Sequence, residues 1–168
     1  MRISGIKTCD ISNGPGLRVS LWTQGCPFRC EGCHNEETWN MNGGRDFDWE
    51  DLDYIEEQIK EGQNLSILGG EPLMQLKSME TLLSYLKQTY PKLNIWLWTG
   101  FSWDIIEKYP IMKFIDVIVT EKFDKNNLAD FAVTGDRNDL YRGSRNQEII
   151  MAKKSFETGE KIYYAEEN

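Results

Sequence analysis

Short apolar runs, most of which end in glycine-bearing turns, with helical patterns between them, constrain this chain most. Leu17 to Thr23 alternates at first, with Leu17, Val19 and Leu21 apolar against Arg18 and Ser20, and reads as a strand. Leu65-Ser66-Ile67-Leu68, Ile95-Trp96-Leu97-Trp98 and Phe114 to Thr120 read as three more. Between them, Asp48 is the expected cap of a helix from Trp49 to Glu61, with Leu52, Ile55 and Ile59 on one face and Gly62 as its stop. A second helix is expected from Ser78 to Thr89, with Met79, Leu82, Leu83 and Leu86 inward and Pro91 beyond its end. Ser102 opens a short third helix carrying Trp103, Ile106 and Tyr109. Such alternation predicts an α/β fold, a parallel sheet with helices outside in right-handed crossovers. Residues 1–15 read as a lead-in ending in the turn Asn13-Gly14-Pro15-Gly16. Lys122 to Gly143 reads as loop with a short element at Leu128 to Val133, and Gln147 to Ala165 as one or two strands around Thr158-Gly159-Glu160.

In parallel sheets, open or barrelled, ligands sit beyond the carboxyl ends of the strands. Three segments fall there. The first is Gln24-Gly25-Cys26-Pro27-Phe28-Arg29-Cys30-Glu31-Gly32-Cys33-His34-Asn35, which packs three thiols into eight residues with the spacing C-x3-C-x2-C. Thiolates ligate soft metals and iron–sulfur clusters. Three ligands leave one iron of a 4Fe–4S cluster without a protein ligand, free to bind a small molecule. The rival is structural zinc, with His34 or Cys9 as fourth ligand, but structural zinc usually shows two paired knuckles. The second segment, Gly69-Gly70-Glu71-Pro72, lets backbone approach a ligand closely, and Glu71 can pair with an ammonium group. It lacks the lysine or helix-opening glycines of a phosphate loop. The third, Trp98-Thr99-Gly100, offers a hydroxyl and an aromatic face. His34 can shield or hydrogen-bond the site, and Arg142-Gly143-Ser144-Arg145-Asn146-Gln147 gathers side chains able to bind backbone or carboxylate groups.

The 168 residues are read as one domain, 1–168, with 40% hydrophobic and 27% charged residues. A net charge of -8 argues against nucleic acid and against an anionic membrane surface. No apolar run approaches the roughly 18 residues of a membrane span. The first residues, Met1 to Lys7, lack the apolar core of a signal peptide, so a cytoplasmic protein with reduced thiols is expected.

The cysteine motif followed by Gly-Gly-Glu-Pro resembles the radical S-adenosylmethionine (SAM) superfamily. Asn13-Gly14-Pro15-Gly16-Leu17-Arg18, Gly25-Cys26, Cys33-His34-Asn35, Thr38-Trp39, Ile95 to Gly100 and Arg142-Gly143-Ser144-x-Asn146-Gln147 narrow the resemblance. They look like its small glycyl-radical activases, those serving anaerobic ribonucleotide reductase, over roughly residues 8–150. The resemblance implies an incomplete TIM-type βα barrel, open on one side. It assigns Cys26, Cys30 and Cys33 to a 4Fe–4S cluster whose open iron chelates SAM. It assigns Gly69, Gly70, Glu71 and Pro72 to the SAM amino end, with Gly32, Cys33, His34, Trp98 and Thr99 completing the cofactor-binding set. Reductive cleavage of SAM would yield a 5′-deoxyadenosyl radical that takes a glycine Cα hydrogen from the large reductase subunit. The cofactors carry that chemistry, and no protein acid or base is obligatory. A one-electron donor such as a flavodoxin is implied as second partner. The chain departs from the pattern where Thr120-Glu121 stands for the usual Asp-Gly, and where His34 stands for a tyrosine. Competing readings are an activase for another glycyl-radical enzyme such as pyruvate formate-lyase, a small radical SAM enzyme acting on a nucleobase-like metabolite, and a zinc-stabilised interaction module.

Overall fold

In the computed structural model, which describes residues 1–165, the chain runs through seven strands and five helices. They are β1 (Arg2–Asp10), β2 (Arg18–Thr23), β3 (Arg45–Asp46), α1 (Trp49–Lys60), β4 (Asn64–Gly69), α2 (Leu76–Thr89), β5 (Ile95–Trp98), α3 (Trp103–Ile106), β6 (Val117–Thr120), α4 (Phe131–Thr134), β7 (Glu148–Ile150) and α5 (Ala152–Thr158). One sheet joins all the strands in the order β3-β1-β2-β4-β5-β6-β7. The four expected strands, β2, β4, β5 and β6, form its parallel centre. β1 and β3 on one side and β7 on the other are antiparallel additions.

Three segments depart from the sequence reading. Residues 1–15 are not a lead-in, because Arg2–Asp10 pairs along β2. Register shifts between Ile3 and Gly5 and between Lys7 and Asp10 break the two-residue period that marks a strand. The strand expected from Phe114 starts at Val117, because Pro110–Phe114 forms a 3-10 turn. In the tail, Gly159 is the left-handed cap of α5 rather than a turn between strands, and Ile150 bridges to Tyr163.

α1 begins where Asp48 and Asp51 exchange backbone hydrogen bonds, Asp51 N–H to Asp48 Oδ1 at 3.0 Å and Asp48 N–H to Asp51 Oδ2 at 3.1 Å. Arg45 holds the same Asp51 carboxylate through both Nη atoms, and the charge-assisted pair keeps it below its ordinary range. Leu52 and Ile55 of α1 and Met79, Leu82, Leu83 and Leu86 of α2 bury against one face of the sheet, where they meet Val19, Leu21, Leu65, Ile67, Ile95 and Leu97. Each such side chain contributes roughly 1.5–3 kcal/mol on burial, so this layer carries most of the fold.

The opposite face of the sheet is also buried. Trp96, Val117, Val119 and Ile149 pack there with Trp98, Tyr141 and Tyr164. Arg18, read as the polar side of a strand, is fully buried on this face. Its guanidinium donates to Ser66 Oγ at 2.5 Å and Leu65 O at 2.7 Å, and lies 5.8 Å from the Trp96 ring centroid. Burial pushes its pKa down to about 10, which leaves it charged at neutral pH. Gly14, at φ +107°, is needed beside it, since a Cβ there would stand 3.0 Å from Arg18 Nε and 3.2 Å from the Trp96 ring.

Glu121, which closes β6, has φ +78°. Its N–H donates to Phe101 O at 3.0 Å and its carbonyl accepts from Gln147 Nε2 at 3.0 Å, so the backbone is held in a shape a side chain disfavours. Glu121→Gly is expected to raise the unfolding free energy by about 0.5–1 kcal/mol, the relief of strain less the entropy of glycine. Urea unfolding of the two proteins checks this, and a less stable variant would contradict it.

Candidate cofactor site

The parallel strands end on one rim, and the four segments that follow β2, β4, β5 and β6 enclose a cavity of about 540 Å³. Cys26, Cys30, Cys33, His34, Gly69, Gly70, Glu71, Trp98 and Thr99 all line it. Of the residues singled out in the sequence, Gly32 and Pro72 lie outside the lining. Gly32 is exposed on the outer side of the cysteine loop, and Pro72 is buried at the start of the 3-10 turn Pro72–Gln75.

The cysteine loop curls because three of its residues take positive φ: Gly25 at +96°, Arg29 at +47° and Gly32 at +73°. Its base is fastened by Gly25 N–H to Thr38 O (2.7 Å) and Cys26 N–H to Trp39 O (3.3 Å). Within the curl, Cys33 N–H donates to Cys30 O at 3.1 Å and Asn35 N–H approaches Cys33 Sγ at 3.4 Å. All four cysteines are free thiols, and burial pushes the Cys26 thiol up. Cys9 is exposed on β1, its N–H bonded to Gln63 Oε1, and does not line the cavity.

Gly70 lies against the first residues of this loop. Its N–H donates to Thr23 O at 2.9 Å, the Glu71 N–H donates to Gly25 O at 2.8 Å, and a Cβ on Gly70 would stand 2.8 Å from the Gly25 carbonyl carbon. The Glu71 side chain turns inward. Oε1 accepts from Leu73 N–H (2.9 Å) and Thr99 Oγ1 (2.8 Å), and Oε2 accepts from Gly100 N–H (2.7 Å). The carboxyl is thereby a staple between the turns after β4 and β5.

Burial outweighs those three donors and pushes the Glu71 pKa up to about 7. The unfolded chain therefore releases this proton first as pH rises. The stability tied to Glu71 is whole below about 4.5 and is lost as pH climbs through about 7. Glu71→Gln cannot ionise. The difference in unfolding free energy between wild type and variant, from urea unfolding of the cluster-free chain, is expected to shift against wild type over that interval by on the order of 3 kcal/mol. A flat difference would mean that the donors, not burial, set the titration.

Of the far wall, sequence reasoning singled out Arg142 and Gln147 but missed Phe28 and Tyr141. Phe28 lines the cavity, packs edge-on against Phe101 at 4.9 Å, and fills the space that a side chain on Gly100 would need. Tyr141, Arg142 and Gln147 line it too. Arg142 is spent inside the loop, where Nε donates to Asp139 Oδ1 at 2.7 Å and Nη2 to Asp136 Oδ2 at 3.0 Å. Gln147 Oε1 accepts from the N–H groups of Gly143 (2.9 Å) and Ser144 (3.1 Å). The Arg-Gly-Ser-x-Asn-Gln segment therefore shapes the wall rather than presenting free donors.

The donor set suits an iron–sulfur cluster: three thiols outside any disulfide, on one wall of one cavity, in a loop whose curl needs glycines. Among the described residues no three His, Cys, Asp or Glu side chains close on a single ion. A 4Fe–4S cube takes its thiolates on separate irons and so asks for a wider triangle.

Comparison with known proteins agrees. A family model described as a 4Fe-4S single cluster domain matches residues 12–150. The anaerobic ribonucleoside-triphosphate reductase-activating protein of Enterobacteria phage T4 is 35% identical over 153 residues, covering 89% of this chain and 93% of its own length. The protein of the same name from Haemophilus influenzae is 34% identical over 153 residues, covering 83% and 91%. That from Escherichia coli K12 is 32% identical over 148 residues, covering 83% and 92%. With the cysteine loop inside the matched domain and the matches spanning most of both chains, this chain belongs to the family of anaerobic ribonucleoside-triphosphate reductase-activating proteins.

Proposed function

We propose that the chain is a single radical SAM domain, an incomplete βα barrel, that generates the glycyl radical of an anaerobic ribonucleotide reductase in the cytoplasm. The observation that carries this reading is the convergence of the three cysteines, the Gly-Gly-Glu-Pro turn and the Trp-Thr-Gly turn on one cavity. Cys26, Cys30 and Cys33 would hold the 4Fe–4S cluster. When bound and reduced, the cluster supplies the electron that cleaves SAM to methionine and the radical that abstracts a glycine Cα hydrogen.

The protein's part is binding, orientation and exclusion of water. The Gly69–Gly70 backbone offers the SAM amino group a surface without side chains. Glu71 works at one remove, since its oxygens are taken by Leu73, Thr99 and Gly100 and it fixes the spacing of the two turns. Trp98 Nε1 donates to Tyr141 O at 2.9 Å, which aligns the indole on the cavity wall. The His34 ring lies tilted at 47° against Phe123, centroids 5.5 Å apart, and lines the cavity next to Cys33. A glycine-bearing loop of the reductase would enter past the loop that follows β6.

The test is anaerobic: reconstituted protein, SAM, a reductant and the large reductase subunit, read by electron paramagnetic resonance. A glycyl radical that requires every component is expected. SAM left intact, with no radical, would overturn the reading.

A further inference from the structure

β6 and β7 are antiparallel neighbours, and their backbone ladder stops at the pair Thr120–Glu148. The chain between them, residues 121–147, leaves the sheet there, because Glu121 at φ +78° turns it aside. Three side chains carry the ladder onward where the backbone no longer does. Gln147 Nε2 donates to Glu121 O at 3.0 Å, and Asn146 Nδ2 donates to Lys122 O at 2.9 Å. Ser144 Oγ accepts from Asp124 N–H at 3.0 Å. Gln147 is pinned in turn, since its Oε1 accepts from the N–H groups of Gly143 and Ser144. Ser144 and Gln147 are buried, which strengthens their bonds, while Asn146 is exposed.

The other flank of residues 122–125 lies on the cysteine loop. Lys122 Nζ sits 4.9 Å from the Phe28 ring centroid, the Phe123 ring meets His34, and Lys125 pairs with Glu31. A Cβ on Gly32 would stand 3.5 Å from Lys125 Cβ. An exposed ion pair and two ring contacts hold little by themselves. Residues 121–125 are thus a strut, with the cysteine loop on one flank and the Ser144, Asn146 and Gln147 clasp on the other. Beyond the strut the same chain supplies the far wall, where Leu128, Asp130, Leu140 and Tyr141 line the cavity.

We propose that Ser144, Asn146 and Gln147 are positioning residues: they hold residues 121–125 against the cysteine loop, and so set the width of the cavity between that loop and the far wall. Ser144 and Asn146 act from outside the lining. Gln147 lines the cavity, but both ends of its amide are engaged by backbone. Where the ligand of the cavity is SAM, the proposal rests on the reading above; the hold on the cysteine loop does not.

Asn146→Asp combined with Gln147→Glu tests this. Each replacement keeps the shape of the side chain, and the new glutamate keeps the acceptor for Gly143 and Ser144. Each also sets a carboxylate oxygen where an amide donated to a carbonyl. Hydrogen exchange is read first, on the full chain without iron. Amides of residues 121–125 and 28–34 are expected to exchange about tenfold or more faster, for the loss of two hydrogen bonds, while those of β4 and β5 keep the wild-type rate. Asn146→Ala removes one donor without adding charge and is expected to fall between the two proteins. Equal acceleration in every segment, acceleration confined to residues 121–125, or none at all overturns the proposal. In the anaerobically loaded protein, SAM affinity by equilibrium dialysis is expected to fall about tenfold at unchanged iron content. Wild-type SAM affinity beside accelerated exchange overturns the positioning role. A wild-type protein that binds no SAM counts against the cofactor reading, while the exchange rates still decide whether the clasp positions the cysteine loop.

Discussion

Under the proposed reading, Cys30→Ala is expected to yield a protein that folds but purifies without an iron–sulfur chromophore and forms no glycyl radical. Cys30 sits half-buried on the curl of the loop, and the bond that shapes the curl runs from Cys33 N–H to its carbonyl, not its side chain. Truncation to a methyl group therefore costs little stability, within about 0.5 kcal/mol when both chains are compared without iron. The donor set falls from three thiols to two, and no fourth cysteine stands by. Cys9 lies on β1, bound through its N–H to Gln63, and Cys9→Ala is expected to keep the full iron complement. Iron analysis and the visible absorption of anaerobically purified protein measure both variants. Wild-type iron in Cys30→Ala, or loss of iron in Cys9→Ala, would sink the assignment. Zinc in place of iron in the wild-type protein would revive the structural-metal alternative.

The parallel centre of the sheet and its rim were legible because each strand is short and apolar, and β2, β4 and β5 are each closed by a glycine-bearing turn. The cysteine spacing needed no fold at all to be informative. Its partners needed only the rule that ligands gather at the carboxyl ends of parallel strands. What could not be read had physical causes. β1 hides because its register shifts twice against β2, so its buried positions, Ile3 and Asp10, do not fall on one alternating face. β2 shows only one apolar side, yet Arg18 and Ser20 are buried as well, because the turn at residues 13–16 and the Trp96 cluster cover the second face. A buried arginine looks like an exposed one until its acceptors, Ser66 and Leu65, are brought in from another strand. α5 carries the polar stretch Ala-Lys-Lys-Ser-Phe-Glu-Thr, whose packing against the 3-10 turn before β6 is a tertiary fact.

The same gap between residue type and role separates Glu71 from Arg142. Both read as groups that could meet a charged ligand. In the fold, both are consumed by neighbours: Glu71 by three donors on two turns, and Arg142 by Asp136 and Asp139 in its own loop. Motifs mark where the site lies, while the direction of each side chain is decided by which polar groups the fold leaves nearby without water.

Gly70→Ala is expected to be severely damaging for ligand capacity, although Gly70 itself does not have positive φ. The added methyl would stand 2.8 Å from the Gly25 carbonyl carbon and 3.0 Å from its nitrogen, and closer still to the carbonyl oxygen. All three are backbone atoms, so no side chain can swing aside. Gly25 cannot retreat either, since it is held by its N–H to Thr38 O and leads directly into Cys26. The turn after β4 must therefore shift, and the bonds from Gly70 to Thr23 and from Glu71 to Gly25 stretch with it. Overpacking against fixed neighbours costs about 1–3 kcal/mol. The functional loss is larger than that, because the shift separates the Gly69–Pro72 turn from the cysteine loop, the two walls that a ligand bridging them must touch at once. Under the proposed reading, SAM affinity is expected to fall beyond measurement while the iron content stays near wild type. Gly5→Ala supplies the control: a Cβ there meets nothing within 4 Å, and its effect on unfolding is expected to stay within about 0.5 kcal/mol. Equilibrium dialysis with SAM and urea unfolding read the two effects separately. A Gly70→Ala protein that binds SAM as wild type does would show that the two walls are not the cofactor's seat.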